Sequence, residues 1–201
     1  MFIGRSRELN KLNALYNSNQ FEFAVFYGRR RVGKTMLINE FIERKKAVYY
    51  MAVEGTKKEN LTGLSKAFLQ DSLAPLSQFG DYEDLLAYID QLALTGERYI
   101  IAIDEFPYLA ASYPVISSLL QKHIDHCWKN SNLFLILCGS SMSFMEEELH
   151  NLKSIHLHFL KQGRCWQRLL PRNRLFYMAL QVAFLNIFPG SIHVFHWIKT
   201  L

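Results

Sequence analysis

The stretch GRRRVGKT at residues 28–35 constrains this chain more than any other, because it matches the pattern G-x-x-x-x-G-K-[ST] without departure. Its two defined glycines, Gly28 and Gly33, let the backbone turn tightly around an anion with its N–H groups pointing inward. The helix expected to begin near Gly33 adds the positive end of its dipole. Lys34 supplies a mobile positive charge for phosphates, and Thr35 offers a hydroxyl to Mg²⁺. The stretch therefore predicts a nucleotide-binding site.

All residues of this loop are expected to belong to the cofactor-binding site. In chain order they are Gly28, Arg29, Arg30, Arg31, Val32, Gly33, Lys34 and Thr35. The three arginines either add positive charge beside the phosphates or point to solvent, and the sequence leaves both interpretations open.

The residues around the loop have the pattern that such a motif requires, which is a buried strand before it and a helix after it. The run FEFAVFY at residues 21–27 is β-branched and aromatic, which favours a strand. Apolar residues then recur at helical spacing over residues 36–42. A Gly-Lys-Thr turn without a ligand is the alternative, and this agreement argues against it.

Strands and helices are predicted to alternate along the following sequence. Further strands are expected at residues 47–52, 99–105 and 133–138, and further helices within residues 2–16, 59–73, 82–95 and 116–128. Ser6 and Asp81 are the expected N-caps of two of these helices. The run YIIAIDE at residues 99–105 is apolar on both faces, as in a central strand of a covered sheet. The pattern indicates an α/β fold with a doubly wound parallel sheet.

Polar residues stand at the carboxyl ends of three predicted strands, where ligands collect in open α/β sheets. Lys34 and Thr35 follow the first strand, Asp104 and Glu105 end the third, and Ser140 follows the fourth. Because the strands are expected to be parallel, these side chains should converge on one edge of the sheet.

These residues suit separate roles in phosphate chemistry. Asp104 is expected to hold Mg²⁺ together with Thr35, and Glu105 to act as a general base toward the attacking water. Ser140 is expected to hydrogen-bond the γ-phosphate or the water, which makes Lys34, Glu105 and Ser140 the predicted catalytic residues. The alternatives are a solvated acidic turn for the acidic pair, and an N-cap or turn serine for Ser140.

Charge is distributed unevenly along the chain. Residues 1–148 hold 16 Lys and Arg against all 18 Asp and Glu, whereas residues 149–201 hold 7 Lys and Arg, no acid and five of the seven His. The formal net charge of +5 therefore belongs to the tail and does not indicate a nucleic-acid surface spread over the whole chain. Cys127, Cys138 and Cys165 form no C-x-x-C pair, which favours reduced thiols in the cytoplasm over a disulfide or zinc site. The first residues lack the apolar segment of a signal peptide.

Four segments, in order, carry a resemblance to a known family. They are FIGR at residues 2–5 with Glu8 and Leu9, the loop at residues 28–35, IDEFPY at residues 103–108, and CGSS at residues 138–141. They resemble the archaeal-type ATPases, which are P-loop ATPases of the AAA+-like group. The resemblance implies a three-layer P-loop sandwich in which the strand that ends in Asp104 lies next to the phosphate-loop strand. It also implies an adenine site near Ile3 and Gly4, and it matches Ser140 to the family's polar sensor.

The resemblance ends near residue 148, so we expect an ATPase core over residues 1–148 and a divergent basic, apolar tail over residues 149–201. A frameshifted or truncated continuation is the leading interpretation of the tail, and a divergent lid, with residues 155–160 as a fifth strand, is the alternative. An apolar segment at residues 175–188 is short for a membrane span, and the histidines of the tail lack the cysteines or carboxylates of a metal site. No motif selects a sensor arginine or arginine finger among Arg164, Arg168, Arg172 and Arg174.

The leading functional hypothesis is Mg²⁺-dependent hydrolysis of ATP to ADP and phosphate. The alternative is a nucleotide-binding switch with little turnover, since an arginine finger contributes on the order of 10³–10⁵ in rate and no motif supplies one. A third hypothesis, association with DNA or RNA, rests on the resemblance and on the basic tail. The expected partners besides ATP are therefore further copies of the chain, another protein or nucleic acid.

Overall fold

A computed structural model describes residues 5–69, 78–141, 144–145 and 157–162, and all of them belong to one compact unit, Met1–Gln162. The helices are α1 (Ser6–Tyr16), α2 (Lys34–Ile42), α3 (Lys57–Leu69), α4 (Tyr82–Leu94), α5 (Phe106–Ser112) and α6 (Ile116–His126), with a 3₁₀ turn at Trp128–Asn130. The strands are β1 (Glu22–Gly28), β2 (Ala47–Met51), β3 (Tyr99–Asp104), β4 (Leu133–Gly139) and β5 (Leu157–Gln162).

The strands form one parallel sheet in the order β2-β3-β4-β1-β5. In the register of this sheet, Tyr27 near the end of β1 lies opposite Gly139 of β4, and Met51 of β2 lies opposite Asp104 of β3. The carboxyl ends of the strands therefore share one edge. The predicted α/β class and the parallel sheet of a P-loop fold are confirmed.

The predicted neighbour of the phosphate-loop strand is wrong. β4 lies between β1 and β3, so the strand that ends in Asp104 pairs with β4 and β2 and not with β1. The physical reason is that β3 and β4 are both apolar and buried along almost their whole length, so either one suits an interior position and burial alone does not fix their order. β2 is only partly buried and lies at the edge of the sheet among the described strands.

Alternate residues of β1 face two separate apolar layers, which makes the fold three layers deep. Phe23 and Val25 belong to the layer built from α3, α4, α5 and α6. Ala24 and Phe26 belong to the layer on the opposite face, where Leu12 of α1 and the apolar side of α2 pack. Because both faces are covered, every residue of β1 is buried, and the loop that follows it begins from a rigid base.

Local signals placed most helix ends correctly. Asp81 caps α4, since its side chain accepts a hydrogen bond from the N–H of Asp84 at 2.9 Å. The predicted cap of α1 is wrong, because Arg5 holds the N-cap position and Ser6 is already helical. The short helix α5, which begins directly after the acidic pair, was not predicted.

β5 pairs in parallel with β1 and begins two residues later than the strand interpretation of residues 155–160. The expected boundary at residue 148 stays a prediction. Arg164, Arg168, Arg172 and Arg174, the histidines beyond residue 162 and the apolar segment at residues 175–188 lie outside the described residues.

Candidate nucleotide-binding site

The loop between β1 and α2 has the backbone of an anion cradle. Gly28 and Gly33 have φ of 147° and 81°, and Arg31 between them has φ of 63°. Gly33 is the N-cap of α2, so the loop passes directly into the positive end of a helix. Glycine reaches such φ values without the steric cost that a Cβ brings, which explains why the two defined positions of the motif are glycines.

Lys34 is held over its own loop. Its Nζ donates to the backbone carbonyl oxygens of Gly28 at 2.9 Å and Arg29 at 3.0 Å. The residue is only 6% exposed, although it lines the open cavity described below. The ammonium group is therefore positioned at the loop before any phosphate arrives, held by acceptors that a more negative ligand can replace.

Asp104 joins the phosphate loop to the end of β3. Its Oδ2 accepts a hydrogen bond from the Thr35 hydroxyl at 2.5 Å and one from the Tyr49 hydroxyl at 3.1 Å. Its Oδ1 accepts from the N–H of Glu105 at 2.9 Å. Burial, followed by the charge of Asp104, raises the pKa of Tyr49, so the phenol keeps its proton and donates it.

Glu105 lies at the start of α5 in an unusual conformation. Its φ of 50° is in the left-handed region, where a residue with a side chain is held at a cost of about 1–3 kcal/mol. Its Oε2 accepts a hydrogen bond from the Ser140 hydroxyl at 2.9 Å. The strained backbone and the serine at the end of β4 together fix the carboxylate at the edge of the sheet.

Arg30 is the loop arginine with described contacts to other elements. Its Nη2 donates to the Tyr108 hydroxyl at 2.5 Å, and its Nε lies 3.4 Å from the Ser140 Oγ. Arg5 reaches the same loop from the start of α1 and donates to the carbonyl oxygen of Val32. Positive side chains therefore hold the loop from two sides.

An open cavity of about 810 Å³ lies over the loop. Its lining includes Lys34, Thr35, Glu105 and Arg30. The other lining residues are Arg31, Gly33, Met36, Asn39, Glu40 and Glu43. A cavity of this size, with cations and carboxylates on its walls, suits a phosphorylated ligand with its metal ion.

The structure brings together most residues that the sequence singled out. Thr35 and Asp104 are in direct contact, as are Glu105 and Ser140, and Lys34 lines the same cavity as Glu105. The adenine site expected near Ile3 and Gly4 lies outside the described residues. Within residues 5–69, 78–141, 144–145 and 157–162, no group of three or more His, Cys, Asp or Glu forms a metal cluster, and no helix is long and apolar enough to cross a membrane.

Three side chains of this site had no role assigned from the sequence. Tyr49 contacts Asp104 from β2, and Tyr108 contacts Arg30 from α5. Cys138 is fully buried at the end of β4, where burial, followed by Asp104, raises the pKa of its thiol. Tyr49 lies beside Asp104 because β2 pairs with β3, and Tyr108 lies on α5, a helix that the sequence did not predict. The third was signalled by its place directly before the Gly139-Ser140 step.

Two relatives from Methanocaldococcus jannaschii resemble the chain in sequence. An uncharacterized protein is 40% identical over 154 residues, which is 77% of this chain and 33% of that protein. An uncharacterized ATP-binding protein is 52% identical over 46 residues, which is 23% of this chain and 78% of that protein. The chain therefore spans about a third of the first relative's length.

Solved structures resemble the chain in fold. A Walker-type ATPase of Pyrococcus abyssi matches with a TM-score of 0.54 and 18% identity over 81% of this chain and 54% of that chain. The ORC2 protein of Aeropyrum pernix, in complexes with ADPNP and ADP, matches with a TM-score of 0.58 and 18% identity over 90% and 51%. Drosophila ORC bound to DNA matches with a TM-score of 0.61 and 18% identity over 80% and 43%.

The sequence profile of one family, described as an ATPase domain predominantly from Archaea, matches residues 2–167. That match includes the phosphate loop and Glu105, which line the cavity, and Ser140, which contacts Glu105. The chain belongs to this family of P-loop ATPase domains.

Proposed function

We propose that the chain binds ATP together with Mg²⁺ and hydrolyses it to ADP and phosphate. The observation that carries the proposal is the 2.5 Å hydrogen bond between the Thr35 hydroxyl and Asp104 Oδ2. It joins the phosphate loop after β1 to the end of β3, two strands that are not neighbours. This arrangement puts a hydroxyl and a carboxylate oxygen at one point beside the loop.

The donor set at this point fits Mg²⁺. Mg²⁺ prefers oxygen ligands, and it is commonly held by one or two protein oxygens together with phosphates and water. Thr35 and Asp104 would hold the ion directly or through water, and the ion would neutralise charge on the phosphates. Asp104 is 1% exposed, and a buried carboxylate gains most from a nearby cation.

The remaining roles follow from the positions of the side chains. Lys34 would exchange its two loop carbonyl acceptors for phosphate oxygens, because charged acceptors bind an ammonium more strongly than neutral ones. Glu105 would orient the attacking water and take its proton. Ser140 would donate either to Glu105, as in the structure, or to a phosphate oxygen.

A nucleotide-dependent switch with little turnover is the second candidate. It is favoured by the hydrogen bond from Ser140, which occupies Oε2 of Glu105 and leaves that oxygen less available to bind water. A partner, such as a second copy of the chain, another protein or nucleic acid, would then read the nucleotide state. The DNA-bound state of Drosophila ORC makes nucleic acid the first partner to try.

Phosphate release from ATP, measured with and without Mg²⁺, tests the two candidates against each other. Turnover that requires Mg²⁺ and falls at least about 10²-fold in Glu105→Gln would support the hydrolase. Tight ATP binding with no turnover would support the switch. Lys34→Ala is the control for both, because it removes the phosphate contact. Wild-type protein that binds no nucleotide would contradict both.

A further inference from the structure

Arg30 bridges three elements around the cavity. It stands in the phosphate loop, and its guanidinium donates to the Tyr108 hydroxyl of α5 at 2.5 Å and approaches the Ser140 Oγ, after β4, at 3.4 Å. Ser140 in turn donates to Glu105 Oε2 at 2.9 Å. A continuous chain of hydrogen bonds therefore runs from the phosphate loop to the carboxylate that is proposed to activate water.

The direction of each hydrogen bond in this chain is set by arginine. A guanidinium has donors and no acceptor, so both Tyr108 and Ser140 must accept from it. The Ser140 hydroxyl has a single proton, and with Arg30 on its acceptor side that proton points to Glu105. While Arg30 stays in this position, Ser140 keeps one oxygen of Glu105 engaged.

A triphosphate in the cavity competes for the same guanidinium. Arg30, Lys34 and Glu105 line one cavity, and Arg30 is exposed, so its side chain can turn without uncovering apolar surface. Its present acceptors are two neutral hydroxyls. A phosphate carries negative charge and can accept two parallel hydrogen bonds from one guanidinium, so it offers Arg30 a charge pair that neither hydroxyl provides.

We propose that Arg30 is a positioning residue that senses the terminal phosphate of the nucleotide and controls Glu105 through Ser140, with Tyr108 as its resting acceptor. When a terminal phosphate draws Arg30 away, Ser140 loses the donor that fixes its proton. Its hydroxyl then turns toward the phosphate, and Glu105 Oε2 is free to accept a hydrogen bond from water. This inference rests on the proposed binding of ATP.

Substitutions of Arg30 and of its acceptor Tyr108 are predicted to have opposite effects on binding of the ATP analogue. Arg30→Gln removes the charged donor, so affinity for a slowly hydrolysed ATP analogue should fall about tenfold while affinity for ADP changes less than about twofold. Tyr108→Phe removes the competing acceptor, so affinity for the analogue should rise about threefold, again with little change for ADP. If Arg30 and Tyr108 had only a structural role, both variants would bind the analogue and ADP less tightly.

Calorimetric titration of the full chain with the analogue and with ADP, each with Mg²⁺, measures both ratios. Arg30→Lys should restore part of the preference for the analogue, since it keeps the charge. Tyr88→Phe is the matched control, because the Tyr88 ring packs against Phe68 and Phe79 and should leave both affinities unchanged. Thermal unfolding of each variant checks that it is folded.

The outcomes separate this inference from the proposed function. If the wild type binds neither nucleotide, both the proposed ATP binding and the proposed role of Arg30 are overturned. If the wild type binds both nucleotides and the analogue-to-ADP ratio is the same in Arg30→Gln, only the role of Arg30 is overturned. A loss of affinity for the analogue in Tyr108→Phe would also overturn it, because removal of the competing acceptor is predicted to raise that affinity.

Discussion

Two aspartates in this molecule each collect several hydrogen-bond donors, yet the donors differ in kind. Asp104 accepts from the hydroxyls of Thr35 and Tyr49 and from the N–H of Glu105, at the edge of the sheet where the cavity opens. Hydroxyl groups rotate, and each one can turn a lone pair toward a cation when one arrives. The two hydroxyl contacts of Asp104 are therefore exchangeable, as the proposed Mg²⁺ site requires.

Asp90 of α4 is bound by ring nitrogens. Its Oδ1 accepts from the indole N–H of Trp128 at 2.7 Å, and both of its oxygens lie 2.9 Å from Nδ1 of His123 on α6. An indole nitrogen is only a donor, and the rings are fixed by packing, with their centroids 6.0 Å apart. Asp90 thus fastens α4 to α6 and to the following 3₁₀ turn. We therefore expect rotatable donors to distinguish Asp104, the carboxylate proposed to hold Mg²⁺, from the structural carboxylate of Asp90.

The same substitution at both aspartates gives the sharpest test of this difference. Asp104→Asn keeps the size of the side chain and removes the charge that is proposed to face Mg²⁺, so Mg²⁺-dependent ATP turnover should fall about 10²–10³-fold. Phosphate release measured over a range of Mg²⁺ concentrations checks this. Unchanged turnover in Asp104→Asn would remove Asp104 from the metal site.

Asp90→Asn should have the complementary effect. It weakens two hydrogen bonds that join α4 to α6 and the 3₁₀ turn, so the free energy of unfolding should fall by about 1–3 kcal/mol, while turnover per folded molecule stays the same. Urea unfolding of wild type and variant measures the difference. A loss of turnover without a loss of stability would break the distinction between the two aspartates.

The meeting of Thr35 with Asp104 could be predicted from sequence, because parallel strands bring their carboxyl ends to one edge whatever their order. The order itself could not. Apolar runs at residues 99–105 and 133–138 look alike in the sequence, and nothing local tells which of them pairs with β1. The wrong neighbour for β1 follows from that ambiguity, and so does the failure to foresee Tyr49 beside Asp104.

Contacts made by long side chains could not be predicted from the sequence either. Arg29, Arg30 and Arg31 are adjacent and identical in type, and only the tertiary structure distinguishes Arg30, which bridges to Tyr108 and Ser140. The left-handed backbone of Glu105 is likewise set by the tertiary structure, since glutamate has no preference for it. Motifs predict the chemistry of the site, and tertiary packing determines which neighbouring side chains contact it.

Tyr49→Phe tests how the hydroxyl of Tyr49 supports Asp104. The variant removes one hydroxyl donor from Oδ2 and leaves the ring in place, so Asp104 should turn more freely and hold Mg²⁺ less well. We expect the Mg²⁺ concentration needed for half-maximal turnover to rise about two- to tenfold, with little change in the maximal rate. A drop in maximal rate at saturating Mg²⁺ would instead assign Tyr49 to the chemical step.

The surroundings of the two aspartates should also differ in how they affect stability at alkaline pH, because each aspartate lies near a cysteine. We expect this effect to be smaller than those above. Burial, followed by the neighbouring aspartate, raises the pKa of both thiols, Cys138 near Asp104 and Cys127 near Asp90. A thiol whose pKa is raised on folding stabilises the protein below its ordinary pKa of about 8.5, and this contribution is lost as pH rises, because the unfolded chain releases its proton first. Cys138 is fully buried and Cys127 partly exposed, so Cys138 should carry the larger effect.

Urea unfolding at pH 7.5, 8.5 and 9.5 should therefore show that the free energy of unfolding falls as pH rises. Cys138→Ala should reduce this fall more than Cys127→Ala does, and the two variants should differ by less than about 1 kcal/mol between pH 8.5 and 9.5. Equal slopes in the two variants would mean that the aspartate environments do not differ in how they hold a neutral thiol.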